Sequence, residues 1–222
     1  MGPDEEAPTV PPPPTFRGRL HQAAFFGSIP AALLLLLLAR SARTLVAVAV
    51  YGASLVALFG TSAAYHRLRW RTGRTRSRIR RLDHSMIYLL IAGTYTPVAL
   101  LVLRGAWTVV ILALIWGGAV AGIAMKGVGL DRLQVPTAVL YIAMGWLLVV
   151  AAPQVVRALH PGELIPLVAG GLLYTAGAVV LALRRPDPNP LVFGYHEVFH
   201  LSTVVAASCH YASVLQVVLA LR

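Results

Sequence analysis

The hydrophobic residues of the chain form seven long runs, separated by short stretches that hold most charged residues, prolines and glycines. A helix rises about 1.5 Å per residue and a bilayer core is about 30 Å thick, so a run of roughly 20 apolar residues can cross a membrane. The seven predicted spans are residues 22–38, 44–65, 85–103, 106–125, 135–152, 163–183 and 196–220. The pattern predicts an all-α, polytopic integral membrane protein with seven transmembrane helices.

The distribution of basic residues predicts how these helices are oriented. Most of the 19 lysines and arginines fall before the first span and in the loops after the second, fourth and sixth spans. Because basic loops stay in the cytoplasm, we expect the N-terminus in the cytoplasm and the C-terminus outside. The arginine-rich composition is typical of a high-GC bacterium, so we expect a multi-pass protein of a bacterial inner (plasma) membrane.

Composition supports a membrane domain with one distinct tail. The chain is 58% hydrophobic and only 12% charged, which leaves too little polar surface to cover a soluble domain. Residues 1–16 differ, because prolines and acids are frequent there, and we predict a disordered, proline-rich cytoplasmic tail. This tail lacks the basic start of a cleaved signal peptide, so we expect the first span to remain as an anchor within a single membrane domain, residues 17–222.

The net charge of +11 would suggest nucleic-acid binding in a soluble protein. In this chain, however, eight arginines lie between Arg67 and Arg81, in a predicted loop flanked by two membrane spans. We therefore expect the loop to bind anionic headgroups of membrane lipids, and we expect no nucleic-acid partner.

Ionisable residues lie at the ends of three predicted spans. His66 follows the second span, Asp83 and His84 precede the third, and His196 and His200 open the seventh. An ionisable side chain at mid-bilayer costs about 2.5–3.5 kcal/mol, so polar residues in or next to a span call for an explanation. All five are expected at the cytoplasmic end of the bundle, although they are far apart in sequence.

Three of these histidines predict a metal site. His196 and His200 are four residues apart, which places them about 6 Å from each other on one helix face, and His66 can add a third ligand. Three imidazoles with an open fourth position are typical of catalytic zinc, so the predicted cofactor is Zn²⁺. Ser62 lies one turn before His66 on the same face. We predict that Asp83 handles the proton of an activated water and that Ser62 orients the water or the developing oxyanion.

Two alternatives stay open for the same residues. Each histidine alone fits an interfacial polar residue at a helix end, and His84 fits either that role or a fourth ligand. The residues from His196 to His200 also fit the H-E-x-x-H pattern of zinc proteases, with Glu197 as the general base.

The remaining histidines and the single cysteine are not predicted to bind the metal. His210 lies about 15 Å deeper along the last helix than His200 and is interpreted as an interior histidine bonded to a neighbouring helix. His21 and His160 are interpreted as loop or edge residues without a partner. Cys209 has no second cysteine, which excludes an intramolecular disulfide and a multi-cysteine zinc site.

Three stretches of the chain resemble the hemolysin III family, within the progestin and adiponectin receptor superfamily. They are SAAYH at residues 62–66, LDH at 82–84 leading into IAGTYTP at 91–97, and GYHEVFH at 194–200. The resemblance implies a seven-helix fold with a cytoplasmic N-terminus and a zinc ion held by His66, His196 and His200, with Ser62 and Asp83 nearby. Many relatives carry an acidic residue, an asparagine and a Thr-His pair before the first helix. At residues 17–21 this chain matches only the histidine of that pattern, His21.

The leading functional hypothesis is a zinc-dependent hydrolase of a lipid amide or ester. The resemblance of the superfamily to ceramidases favours it. One alternative is a sensor or regulator of membrane state in which zinc only links helices. A further alternative, from the family name, is a cytolytic, pore-forming protein, which fits poorly with a resident seven-helix chain.

Overall fold

The computed structural model describes residues 14–127 and 134–221, and within these ranges the regular structure is helical. The α-helices are α1 (Arg19–Leu38), α2 (Ala42–Arg67), α3 (Gly73–Pro97), α4 (Ala106–Gly127), α5 (Gln134–Trp146), α6 (Ala152–Ala158), α7 (Pro161–Leu183) and α8 (Tyr195–Ala220). A π-helical turn, Val98–Val102, extends α3, and a 3₁₀ segment, Leu147–Ala151, joins α5 to α6. Seven segments of the described chain are long and apolar enough to cross a membrane, which confirms the predicted all-α, seven-span fold.

The third helix begins earlier than the hydrophobic pattern predicts. It starts at Gly73 rather than near residue 85, so most of the arginine-rich segment predicted as a loop is helical. The Thr72 hydroxyl accepts a hydrogen bond from the Thr75 amide at 3.1 Å and caps this start. Arginine has a high helix propensity, and hydropathy detects only the apolar part of a helix, which explains the difference.

The end of the predicted tail is also structured. The Thr15 amide donates to the Leu191 carbonyl at 3.0 Å, and the Phe16 amide donates to the Val192 carbonyl at 3.1 Å. The prediction of a disordered tail is therefore wrong for these residues, because they pair with the segment before α8. Residues 1–13 lie outside the described residues.

The helices pack mainly against their sequence neighbours. The contact between α1 and α8 is an exception, and it brings the two ends of the chain together. One core cluster joins α3, α4, α5 and α6 around Tyr88 and Ile111, and a second joins α1, α2, α3 and α8 around Tyr51. Apolar side chains such as Leu33 and Val109 are 54% and 69% exposed on the outside of the bundle, as expected of a lipid-facing surface.

Candidate metal site

Three histidine side chains converge at one end of the bundle. His66 lies on the last turn of α2, and His196 and His200 lie on the first two turns of α8. One ring nitrogen from each lies within 4.8 Å of the others. The Nε2 atoms of His66 and His196 are 3.3 Å apart. His200 is buried and the other two are half-buried, so the group is sheltered from solvent.

The geometry of this group fits a small divalent metal ion. Zinc binds imidazole nitrogen at about 2.0–2.1 Å, so two ligands of a tetrahedral ion lie roughly 3.3–3.4 Å apart. The separation between His66 and His196 already matches this distance. Imidazole is a ligand for zinc and for several other first-row metals, and three protein ligands leave at least one position open. The residues therefore fit the predicted cofactor.

The predicted carboxylate lies beside the histidines. Asp83 Oδ2 is 4.0 Å from His66 Nε2, and the Asp83 side chain is only 13% exposed. Asp83 lies on α3, so the helix that carries the arginine-rich segment also brings an acid to the site. A molecule bound between this acid and the histidines would lie within hydrogen-bonding distance of the carboxyl group. The acid is therefore close enough to exchange a proton with it.

The predicted serine is buried and already has a partner. Ser62 is 2% exposed and lies one turn before His66 on α2. Its hydroxyl is 2.8 Å from Nδ1 of His21. Ser62 is thus bonded to a histidine that the sequence analysis did not assign to the site.

His21 is the residue that sequence reasoning missed. It lies in the first turn of α1, is 3% exposed, and stacks on His200 with ring centroids 3.7 Å apart and ring planes within 3°. Its interpretation as an edge residue without a partner is wrong. The depth argument applied to the other histidines places His21 at the same level, because the first span begins where the second ends, but it does not show that α1 contacts α8.

Glu197, the candidate general base of the protease pattern, has both carboxylate oxygens occupied. Oε1 accepts from Arg17 Nε at 2.6 Å, and Oε2 accepts from the Gly194 amide at 3.0 Å. Glu197 is fully buried. It therefore caps α8 and attaches the chain before α1 to the helix that carries His196 and His200, and the geometry does not favour a role as base.

The other histidines lie apart from the cluster. His210 Nε2 is 3.1 Å from the Leu167 carbonyl oxygen, which confirms the prediction of an interior histidine bonded to a neighbouring helix. His160 is exposed at the start of α7. His84 follows Asp83 on α3 but is not part of the three-histidine group found among the described residues.

Comparison with known proteins supports the resemblance seen in the sequence. The profile of the family described as Haemolysin-III related matches residues 11–211. The chain is 36% identical over 197 residues to Hemolysin-3 of Bacillus cereus, covering 86% of this chain and 85% of that protein. It is 31% identical over 168 residues to the Hemolysin-3 homolog of Bacillus subtilis (strain 168), with coverages of 74% and 78%.

A eukaryotic protein is similar as well. The human Monocyte to macrophage differentiation factor is 26% identical over 173 residues, covering 74% of this chain and 67% of that protein. The two Bacillus relatives support a bacterial origin, and the apolar helices make the chain a multi-pass membrane protein. Since the family profile spans nearly all of the seven-helix bundle, the chain belongs to the haemolysin III family.

Proposed function

We propose that the chain is a zinc-dependent hydrolase of a lipid amide or ester, with its site at the cytoplasmic side of the membrane. The observation that carries this proposal is the convergence of three imidazoles from two helices with a buried carboxyl group from a third. A site built only to join helices needs no such carboxyl group.

Different residues of the chain bind the metal, transfer the proton and orient the reacting groups. His66, His196 and His200 hold the metal, and a bound zinc ion supplies a Lewis acid that polarises a carbonyl group and activates water. Asp83 accepts the proton of the attacking water at Oδ2 and returns it to the leaving group. Ser62, whose hydroxyl is bonded to His21, orients the attacking water or the developing oxyanion.

A lipid substrate suits the position of the site. The three histidines lie at the ends of apolar helices, where the linkage between a lipid headgroup and its acyl chain lies in a bilayer. The arginines on the first turns of α3 precede Asp83 on the same helix. They bind anionic headgroups in this proposal and keep such lipids close to the site.

The test compares two buried acids in the purified full-length protein. Asp83→Asn should lower turnover of a hydrolysed lipid amide or ester by about 10²–10⁴-fold while zinc content, measured by mass spectrometry, is unchanged. Glu163→Gln is the matched control, because Glu163 is also buried but caps α7 through the His160 amide, away from the histidines. This variant should keep both zinc and turnover.

Two results would reject the hydrolase. In one, wild-type protein binds zinc but cleaves none of a broad panel of lipid amides and esters. In the other, Asp83→Asn turns over as fast as wild type. Either result would favour the sensor hypothesis, in which the metal only joins α2 to α8.

A further inference from the structure

His21 contacts the three-histidine group through the flat face of its ring. It lies parallel to His200, with ring centroids 3.7 Å apart and an angle of 3° between the planes. Both side chains are 3% exposed, so water does not separate them. A parallel contact of this kind restricts rotation of both rings, because any large rotation about the Cβ–Cγ bond of one ring drives it into the other.

The position of His21 is itself fixed from the side of α2. Its Nδ1 atom is 2.8 Å from the Ser62 hydroxyl, and the Phe59 ring meets it edge-on at a centroid distance of 5.2 Å. Both of these partners lie within two turns of the metal-ligand candidate His66. His21 therefore connects the helix that carries His66 to the helix that carries His200.

His200 lacks the usual means of holding a metal-binding ring. Metal-ligating histidines almost always donate their second ring nitrogen to a carboxylate, a carbonyl or water, which fixes the ring orientation. The Nδ1 atom of His200 is buried and has no hydrogen-bond partner among the described residues. Hydrogen bonding at this atom thus does not set the plane of the ring, whereas the contact with His21 does.

We propose that His21 is a positioning residue of the metal site, whose stacked ring holds the imidazole of His200 in the orientation that binds the metal. The inference deepens the proposed function and rests on its metal site, but it requires no hydrolysis. It assigns a role to the one histidine of α1 and explains why a chain segment before the second span is part of the site.

Three substitutions separate the stacked ring from the hydrogen bond. His21→Phe keeps a flat ring and removes the bond to Ser62, His21→Asn keeps a polar group and removes the ring, and His21→Ala removes both. The readouts are the zinc dissociation constant, from chelator competition with the metal-stripped protein in detergent, and the electronic absorption spectrum of the cobalt(II)-loaded protein. His210→Ala is the matched control, because His210 is a half-buried histidine of the same helix and contacts α7.

We expect His21→Ala and His21→Asn to weaken zinc binding by about 10- to 100-fold and to shift the cobalt spectrum. His21→Phe should restore both readouts to near the wild-type values, and His210→Ala should not change them. The stacking role would be overturned if His21→Asn, but not His21→Phe, bound zinc like the wild type. Wild-type zinc binding in His21→Ala would overturn it as well. If the wild type itself binds no metal, the proposed function fails together with this inference, whereas wild-type binding in His21→Ala overturns this inference alone.

Discussion

Two histidines of the same helix, α8, lie in different surroundings, His200 buried and His210 half-buried. His210 is bonded through Nε2 to the Leu167 carbonyl of α7 at 3.1 Å, in a notch left by Gly170. His200 lies about 15 Å away along the helix. It meets His21, His66 and His196 ring to ring, whereas its Nδ1, like that of His210, has no hydrogen-bond partner among the described residues.

The difference distinguishes a packing histidine from a candidate ligand. Burying a polar group without a hydrogen bond costs free energy, and His210 recovers part of this cost from a neighbouring helix as most buried polar groups do. Several imidazoles packed against one another recover little of it. Such an arrangement is explained if a metal ion is bound by one nitrogen of each of three rings, so clustering is more informative than burial.

The largest expected effect appears when removal of the His200 ring is compared with removal of the His210 ring. His200→Ala removes one of three ligands, so zinc content should fall from about one ion per chain to near zero. His210→Ala should keep its zinc, because its contacts lie on α7. Mass spectrometry of chelator-free, detergent-purified protein measures both.

A monodisperse elution profile for each variant is needed to show that metal loss does not follow from unfolding. Equal zinc loss in the two variants would mean that burial of histidine, rather than clustering, governs metal content. The contrast between the two regions would then be wrong.

The next effect concerns the attachment of the N-terminal segment beside the cluster. Arg17→Ala leaves the fully buried Glu197 without its cation, which should lower the free energy of unfolding by about 3 kcal/mol. Unfolding by sodium dodecyl sulfate, followed by tryptophan fluorescence, measures this change.

Arg19→Ala is the matched control for Arg17→Ala. Arg19 is exposed, and its guanidinium lies 5.7 Å from the centroid of the Phe16 ring, so its loss should cost about 0.5–1 kcal/mol. A loss for Arg17→Ala no larger than that of the control would show that the Arg17–Glu197 pair does not hold the segment.

The smallest expected effect tests whether the His210 ring packs directly against Gly170. A Cβ atom added at Gly170 would overlap the His210 ring and lie 3.0 Å from the Ala206 carbonyl oxygen, whereas one added at Gly171 meets nothing within 4 Å. Gly170→Ala should therefore destabilise the bundle by about 2 kcal/mol through overpacking. Gly171→Ala should be neutral or stabilising, since alanine has the higher helix propensity.

The same unfolding titration measures both glycine variants, and zinc content should be unchanged in each. If Gly170→Ala were as stable as Gly171→Ala, the ring of His210 would not occupy the notch. A loss of zinc in Gly170→Ala would instead show that the two regions of α8 are coupled.

The order of the helices and most of their bounds were predictable from the sequence. A membrane span is identified by its own composition, because lipid imposes the same length and polarity on every span. The start of α3 was not predictable in this way, since residues from Gly73 to Leu82 are helical through capping and propensity rather than hydropathy. The pairing of Thr15 and Phe16 with the segment before α8 is a contact between the two ends of the chain, which no local pattern contains.

The candidate site was predictable in part. Spacing of four residues on one helix joined His196 to His200, and depth in the membrane added His66 and Asp83, all of which the structure brings together. Their roles as ligands and as acid or base remain predictions. Depth does not reveal which helices are neighbours, so the contact of α1 with α8, and with it the position of His21, was not found.

The sequence by itself determined that the chain crosses a membrane seven times and carries ionisable residues at one level, because hydrophobicity, length and spacing are local properties. Only the tertiary structure decided which of those residues meet, that Glu197 faces Arg17, and that Ser62 bonds to His21. The physical reason is that a helix fixes the direction of each side chain relative to its own axis, whereas packing against other helices sets the rotation and the neighbours of that axis.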